Sequence, residues 1–261
     1  MHRDNLLVLA ASQVVTAQAW TQNNIDLMQV QDLGQGKLMY LRLAAAGDIT
    51  GTTSVIDVQP FLGSTPLVLG PTGVTATFTI AAPGVGTWSV AQPNLLFGSE
   101  VFFSNGGTLP TGVTAGTVYY VKPLTSTTFN LATSYANLLA NVLITTTGTS
   151  TGNHPAAQFC VQLASTRFLP SLIKQPASPL VGGPIGLPMF VPVPMYAGLP
   201  SVGQTQNPPS PATPTTRLPY RWFACQFVPN GTISATLHLE LAQMQDDPAK
   251  FYPTGIQPAI V

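Results

Sequence analysis

Charge is what this sequence has least of. Acidic and basic side chains make up 7% of its 261 residues, nine of each sign, so the formal net charge is zero. A field that tracks phosphates needs a basic excess, so the balance argues against nucleic acid as a partner. A net charge near zero also promotes association, which points to life in an assembly. Cysteine is scarce too: Cys160 and Cys225 both sit in apolar, strand-like stretches and read as two buried thiols rather than a disulfide. No spacing of His, Cys, Asp and Glu suits a metal, and no cofactor motif is present. No apolar run approaches the ~20 residues of a membrane span, which argues against a membrane partner.

What the chain has in quantity is apolar residues (45%) punctuated by 23 Gly and 25 Pro. That profile is too apolar for disorder and too broken for long helices, so the predicted class is all-β. The length allows one large sandwich or two smaller domains. Leu6-Leu7-Val8-Leu9-Ala10-Ala11 superficially resembles a signal peptide, but the run is short, Asp4 precedes it and Gln13 follows without a cleavage pattern. It reads as an N-terminal arm.

The stretch Tyr220 to Met244 predicts a hairpin closed by Asn230-Gly231, two residues that tolerate the positive φ of a type I′ turn. That register sets Val228 opposite Ile233, Ala224 opposite Leu237, Trp222 opposite Leu239 and Tyr220 opposite Leu241 on one apolar face. On the other face Phe223 meets His238, and Arg221 meets Glu240 as a cross-strand ion pair. Pro229 removes a ladder donor, so a bulge can replace the tight turn. Trp222, Ile233, Leu237 and Leu239 are therefore expected in the core, with earlier strands supplying the facing sheet.

Before the hairpin, Gln13 to Trp20, Asn24 to Val30, Lys37 to Leu43 and Thr52 to Gln59 read as short antiparallel strands, with a break at Gly47-Asp48. From Val58 through Thr166 the only charged residues are Glu100 and Lys122. So sharp a change marks a separate module, predicted as an inserted β-domain at residues 70–152 between host segments 1–69 and 153–261. Its expected strands are Val74 to Ile80, Leu95 to Ser104, Thr117 to Lys122, Thr127 to Ala132 and Asn141 to Thr147. Pro170 to Pro219 then holds 13 of the 25 prolines. Met189 to Val193 can still form an edge strand there, and Gly203 to Thr216 reads as a mobile surface loop.

Candidate chemistry is sparse. His2, His154 and His238 are predicted in an arm, a loop and the solvent side of a strand, none with a companion at ligand spacing. Asp246-Asp247 reads as a turn rather than a cation site. Glu100, alone among Phe97, Val101, Phe102 and Phe103, invites a general-acid role, but without a second carboxylate it is expected at an exposed alternation position. No Gly-x-Ser-x-Gly elbow or phosphate-cradling glycine loop is present, and Asn230-Gly231-Thr232 is explained by its turn. Trp20, Trp88 and Trp222 do not cluster as a sugar platform. No catalytic residue is assigned, and an enzyme is disfavoured.

Two sets of residues carry a resemblance. Ala11-Ser12-Gln13-Val14-Val15-Thr16-Ala17, Asn24-Ile25-Asp26-Leu27 and Leu33-Gly34-Gln35-Gly36-Lys37-Leu38-Met39-Tyr40-Leu41 open the chain, and Arg217 to Phe227, the Asn230 turn and Phe251-Tyr252-Pro253-Thr254-Gly255 close it. In this order they resemble the capsid cement (decoration) proteins of tailed bacteriophages, whose members are shorter and lack the insert and the proline-rich stretch. Ser104 to Val121 followed by Thr127 to Ala132 is similar to a small β-module recurring in phage structural proteins. The resemblance implies a jelly-roll-like antiparallel β-sandwich on the outer surface of a virion head, forming a homodimer or homotrimer and bridging subunits of the major capsid protein. Leu6, Leu7 and Leu9 of the arm and Phe251, Tyr252, Pro253 and Ile256 of the tail are the expected interface, because both ends are apolar and lack evident internal partners. The insert is expected to project outward. The rival expectation is a tail or baseplate component contacting a host glycan.

Overall fold

The computed structural model describes residues 8–26, 39–51, 55–69, 73–163, 166–168, 189–193, 206–207 and 221–243. The chain is all-β. It begins with β1 (Val8–Val15), β2 (Ala19–Trp20), β3 (Ile25–Asp26), β4 (Met39–Gly51) and β5 (Val55–Gly63). Next come β6 (Thr75–Phe78), β7 (Gly86–Trp88), β8 (Glu100–Phe103), β9 (Gly107–Thr108), β10 (Tyr119–Pro123) and β11 (Thr128–Ala132). The short helix α1 (Tyr135–Leu139), β12 (Thr151–Gly152) and β13 (His154–Gln158) complete this middle part. The last strands are β14 (Cys160–Gln162), β15 (Thr166–Phe168), β16 (Met189–Val193), β17 (Gln206–Asn207), β18 (Trp222–Asn230) and β19 (Ile233–Gln243).

Two antiparallel sheets form a sandwich. One has the order β1-β19-β4-β16; the other runs β17-β14-β5-β18-β2, with β15 on β5 and β3 on β18. The core between them takes Leu9, Leu41, Leu43, Leu237 and Leu239 from the first sheet and Ile56, Val58, Phe223, Cys225 and Phe227 from the second. Ile233, Ala235, Leu237, Leu239 and Leu241 are all buried on the inner face of β19, an inner strand of its sheet between β1 and β4.

The predicted hairpin is not one. β18 pairs with β5 and β19 pairs with β4 and β1, so Asn230-Gly231 carries the chain from one sheet to the one facing it. Gly231 has φ 104°, so the glycine is used as expected, in a different connection. The facing arrangement reverses the predicted inward side of β18: Phe223, Cys225 and Phe227 point into the sandwich, while Trp222 is only half-buried. Two apolar strands set face to face bury their side chains against each other, which side-by-side pairing could not do without a third layer. Ile233, Leu237 and Leu239 are core residues as expected; Trp222 is not.

Other boundaries move as well. Gly47-Asp48 does not end a strand, because β4 continues to Gly51 and the register shift between Ala235 and Leu237 absorbs the irregularity as a bulge. Met189–Val193 is an edge strand, as expected, and Gln206–Asn207 within the predicted loop forms a short edge strand on β14.

The middle part closes into a six-stranded barrel, β10-β11-β7-β6-β13-β8. The predicted limit at residue 152 omits β13, which pairs with both β6 and β8 and closes the barrel. Its interior is aromatic: Trp88 stacks on Phe129 at 4.0 Å, and Phe78 meets Phe103 edge-on at 5.0 Å. A Cβ on Gly86 would lie 2.2 Å from the Phe129 ring, so β7 needs glycine there for the ring to fit. The expected strand Asn141 to Thr147 is instead a loop that follows α1, and its Asn141 has φ 56°. Only Thr147 bridges, to Thr111.

Candidate interaction surfaces

Barrel and sandwich meet through polar side chains that are out of water. Residues 64–69 lead from β5 to the barrel, and the single residue Phe159 leads back into β14. Gln158, 5% exposed, ties the outgoing segment down with its whole amide. Its Nε2 donates to Pro66 O (2.8 Å) and Thr65 Oγ1 (3.1 Å), and its Oε1 accepts from Val68 N (3.0 Å) and Leu69 N (3.2 Å). Thr65 Oγ1 donates to Ser99 Oγ at 3.2 Å, and Ser64 Oγ donates to Glu100 Oε2 at 2.8 Å. The sandwich grips the same segment: Trp20 Nε1 donates to Leu69 O (2.7 Å), and Asn24 Oδ1 accepts from Leu67 N (2.7 Å). Glu100 is thus buried at 1% exposure, against the expectation of an exposed position, because the junction covers that end of β8. Gln158, Ser64, Thr65 and Ser99 carried no signal in the sequence; Glu100, the lone acid of its region, did.

The ion pairs follow the observed sheets. Arg221 does not reach Glu240: both its Nε and its Nη2 bond the Asp26 carboxylate, since β18 lies beside β3. Glu240 instead accepts from Arg42 Nη1 at 2.6 Å across β19 and β4, with His238 Nε2 3.2 Å away. Burial alone would raise the Glu240 pKa, but the hydrogen bonds from His238 and Arg42 outweigh it and hold the carboxyl below its ordinary range. His238 lies on the outer side of β19, about one-fifth exposed.

His154 is not in a loop; it lies in β13 and is fully buried. Gly106 N donates to its Nδ1 at 3.4 Å, its Nε2 has no hydrogen-bond partner, and Phe78 lies 5.9 Å away. Burial lowers its pKa, against a smaller opposing effect of a backbone hydrogen bond at Ser104. Cys160 and Cys225 are free and buried, as expected; burial pushes the Cys160 thiol up to about 12 and Cys225 well above its ordinary value, so neither is a nucleophile. Among the described residues no three His, Cys, Asp or Glu side chains stand together as a metal site, and no helix is long and apolar enough to cross a membrane.

Of the expected interface, Leu9 is corrected. It is wholly buried in the chain's own core, because β1 is an integral strand of the first sheet. Leu6, Leu7, Phe251, Tyr252, Pro253 and Ile256 lie outside the described residues, as does Asp246-Asp247. The large apolar side chains left exposed among the described residues are, apart from Val14, on the barrel: Ile80, Val90, Leu96, Phe97, Leu139 and Val142 among them.

A cleft of about 610 Å³ opens where barrel and sandwich meet, lined by Gln22, Asn23, Asn24, Trp222, Asn94 and Leu96 among others. Of the three tryptophans, Trp222 alone lines it; Trp20 packs on Phe61 at 5.2 Å, and Trp88 is inside the barrel. No protein-family model, curated protein or solved structure matches the chain.

Proposed function

We propose that the chain is a structural cement, or decoration, protein that binds the outer surface of a tailed-phage head and bridges major capsid subunits. It works as a homo-oligomer, mechanically rather than catalytically, with no cofactor. One observation carries the reading. The barrel, whose only charged residues are Lys122 and the buried Glu100, holds nearly all the large exposed apolar side chains among the described residues. The buried junction holds that barrel against the sandwich, so the two parts present a fixed body to a neighbour. Surfaces of this kind associate by apolar burial, and ~1,600 Å² per contact suffices when repeated over a shell. The order of motifs at both ends of the chain supports the same reading.

The test is to mix the purified chain with phage heads that lack it. Binding in hundreds of copies on tailless heads, persisting in 1 M salt and raising the temperature at which heads rupture, is the expected result. Heads that neither bind nor gain stability would sink the proposal. The second reading, a tail or baseplate component contacting a host glycan, draws on the uncharged cleft and predicts a few copies that fractionate with tails.

A further inference from the structure

The cleft between barrel and sandwich has walls of an unusual kind. Gln22, Asn23 and Asn24 come from the connection between β2 and β3, Trp222 from the start of β18, and Asn94 and Leu96 from the barrel loop between β7 and β8. None of the residues lining it carries a charge.

The amides on the sandwich side are held in place. Gln22 Oε1 accepts from Ala11 N (3.2 Å), and Gln22 N donates to Gln13 Oε1 (3.0 Å). Asn23 Nδ2 donates to Val8 O (3.0 Å), and Asn23 N donates to Leu9 O (2.9 Å). Asn24 is bonded at both ends of its amide to Leu67. One half of each of the first two amides is therefore committed to β1, while Gln22 Nε2, Asn23 Oδ1 and the whole Asn94 amide make no hydrogen bond among the described residues. A fixed donor, a fixed acceptor and a third group offering both line the same space as Trp222, whose ring has the Arg221 guanidinium over it, 5.5 Å from the ring centroid.

We propose that this cleft binds a neutral oligosaccharide. Sugar hydroxyls donate and accept at once, which matches amides, and sugar C–H faces pack on an aromatic ring. An anionic or cationic ligand would leave water without meeting an opposite charge among the lining residues. An apolar ligand would strip the free amide groups of water and return nothing. A peptide is usually taken up by a free sheet edge. The edge at this cleft is β1, whose Val8, Leu9 and Ala11 backbone groups are already occupied by Gln22 and Asn23. The volume falls within the ~300–1,000 Å³ of small-molecule sites. The inference does not depend on which part of a virion carries the chain.

The experiment applies the full chain to an array of neutral, sialylated and sulfated oligosaccharides and measures the best neutral binder by calorimetry in low and high salt. Neutral sugars should bind, with less than a twofold change in affinity at 1 M NaCl. Asn94 is exposed in a loop and touches no core, so its variants should fold with unchanged melting temperature. Asn94→Ala should weaken binding about three- to tenfold, the value of one hydrogen bond, and Asn94→Arg, which adds bulk and a charge, by more. Three results would each overturn the proposal: no neutral sugar bound at millimolar concentration, binding confined to sialylated or sulfated sugars, or Asn94 variants that bind as the parent does. Concentration-dependent burial of Asn94 in the sugar-free chain would also overturn it, by assigning the cleft to a second copy.

Discussion

The sandwich and the barrel reach stability by different means. In the sandwich, two sheets bury aliphatic rows against each other, and the charged residues lie along strands where partners are at hand: Arg42 with Glu240, Arg221 with Asp26. The barrel fills a small closed cylinder with the stacked rings of Phe78, Trp88, Phe103, Phe129 and Tyr119 among aliphatic residues such as Val101, Val121 and Leu131, and leaves apolar side chains on its outside. A sandwich can add area by lengthening strands, whereas strands of three to five residues gain buried volume by carrying rings. The barrel's pH-sensitive group is inside it, at His154, and that of the sandwich is a buried, ion-paired carboxylate, Glu240.

The sharpest way to break this comparison is to empty the barrel. Phe129→Ala removes the ring that contacts Trp88, Phe78 and Phe103, and should cost about 3–5 kcal/mol. Leu239→Ala in the sandwich should cost about 2–5 kcal/mol. If the parts are separable, calorimetry of Phe129→Ala should show a barrel transition moving well below that of the sandwich; a single transition displaced as a whole would show that the junction welds them into one cooperative unit. Gly86→Ala, which pushes a methyl into the Phe129 ring, should cost about 1–3 kcal/mol by overpacking, read in the same melts.

The junction comes next. Gln158→Ala deletes four hydrogen bonds and leaves the Val68 and Leu69 amides without their acceptor, an expected loss of about 1–3 kcal/mol. Faster hydrogen exchange confined to residues 64–69 would be its signature.

The smallest effects are of pH, and they separate the two parts. His154 is held neutral, with a folded pKa below its ordinary 6.5. The unfolded chain therefore binds a proton that the folded barrel does not, and barrel stability should fall as pH drops below about 6.5. His154→Gln should flatten that slope. Glu240 acts with the opposite chemistry: its folded pKa is depressed below 4.5, so its contribution is present above that value and is lost as pH falls through the folded pKa. Between pH 6.5 and 4.5 the barrel should weaken while the sandwich does not. Melting curves over that range check it, and parallel losses in both parts would contradict the assignment.

Much of the architecture was legible residue by residue. The barrel strands all fall within the weakly charged span after Asp57. Alternation along Ile233 to Leu241 identified a core strand, and the apolar surroundings of Cys160 and Cys225 identified buried thiols. The misreading of Tyr220 to Met244 has a definite cause. An Asn-Gly turn between two apolar strands is compatible with pairing in one sheet and with crossing to the facing one, and the local pattern is identical for both. Glu100 failed for a related reason: a lone polar residue among apolar neighbours reads as exposed by alternation unless the segment that covers it, here around Ser64, is known. His154 was expected in a loop because Gly148 to Asn153 precede it, and the strands that pair with β13 and the Gly106 segment that covers it are distant in sequence.

By itself, then, the sequence determined the class of structure, the strand that anchors the core and the low charge of the middle span, because composition and period-two alternation act within a few residues. Which sheet each strand joins, which acid each arginine meets and where an uncharged cleft opens were decided only in three dimensions. Those outcomes depend on which surfaces are buried together by segments far apart along the chain, and no local pattern encodes that choice.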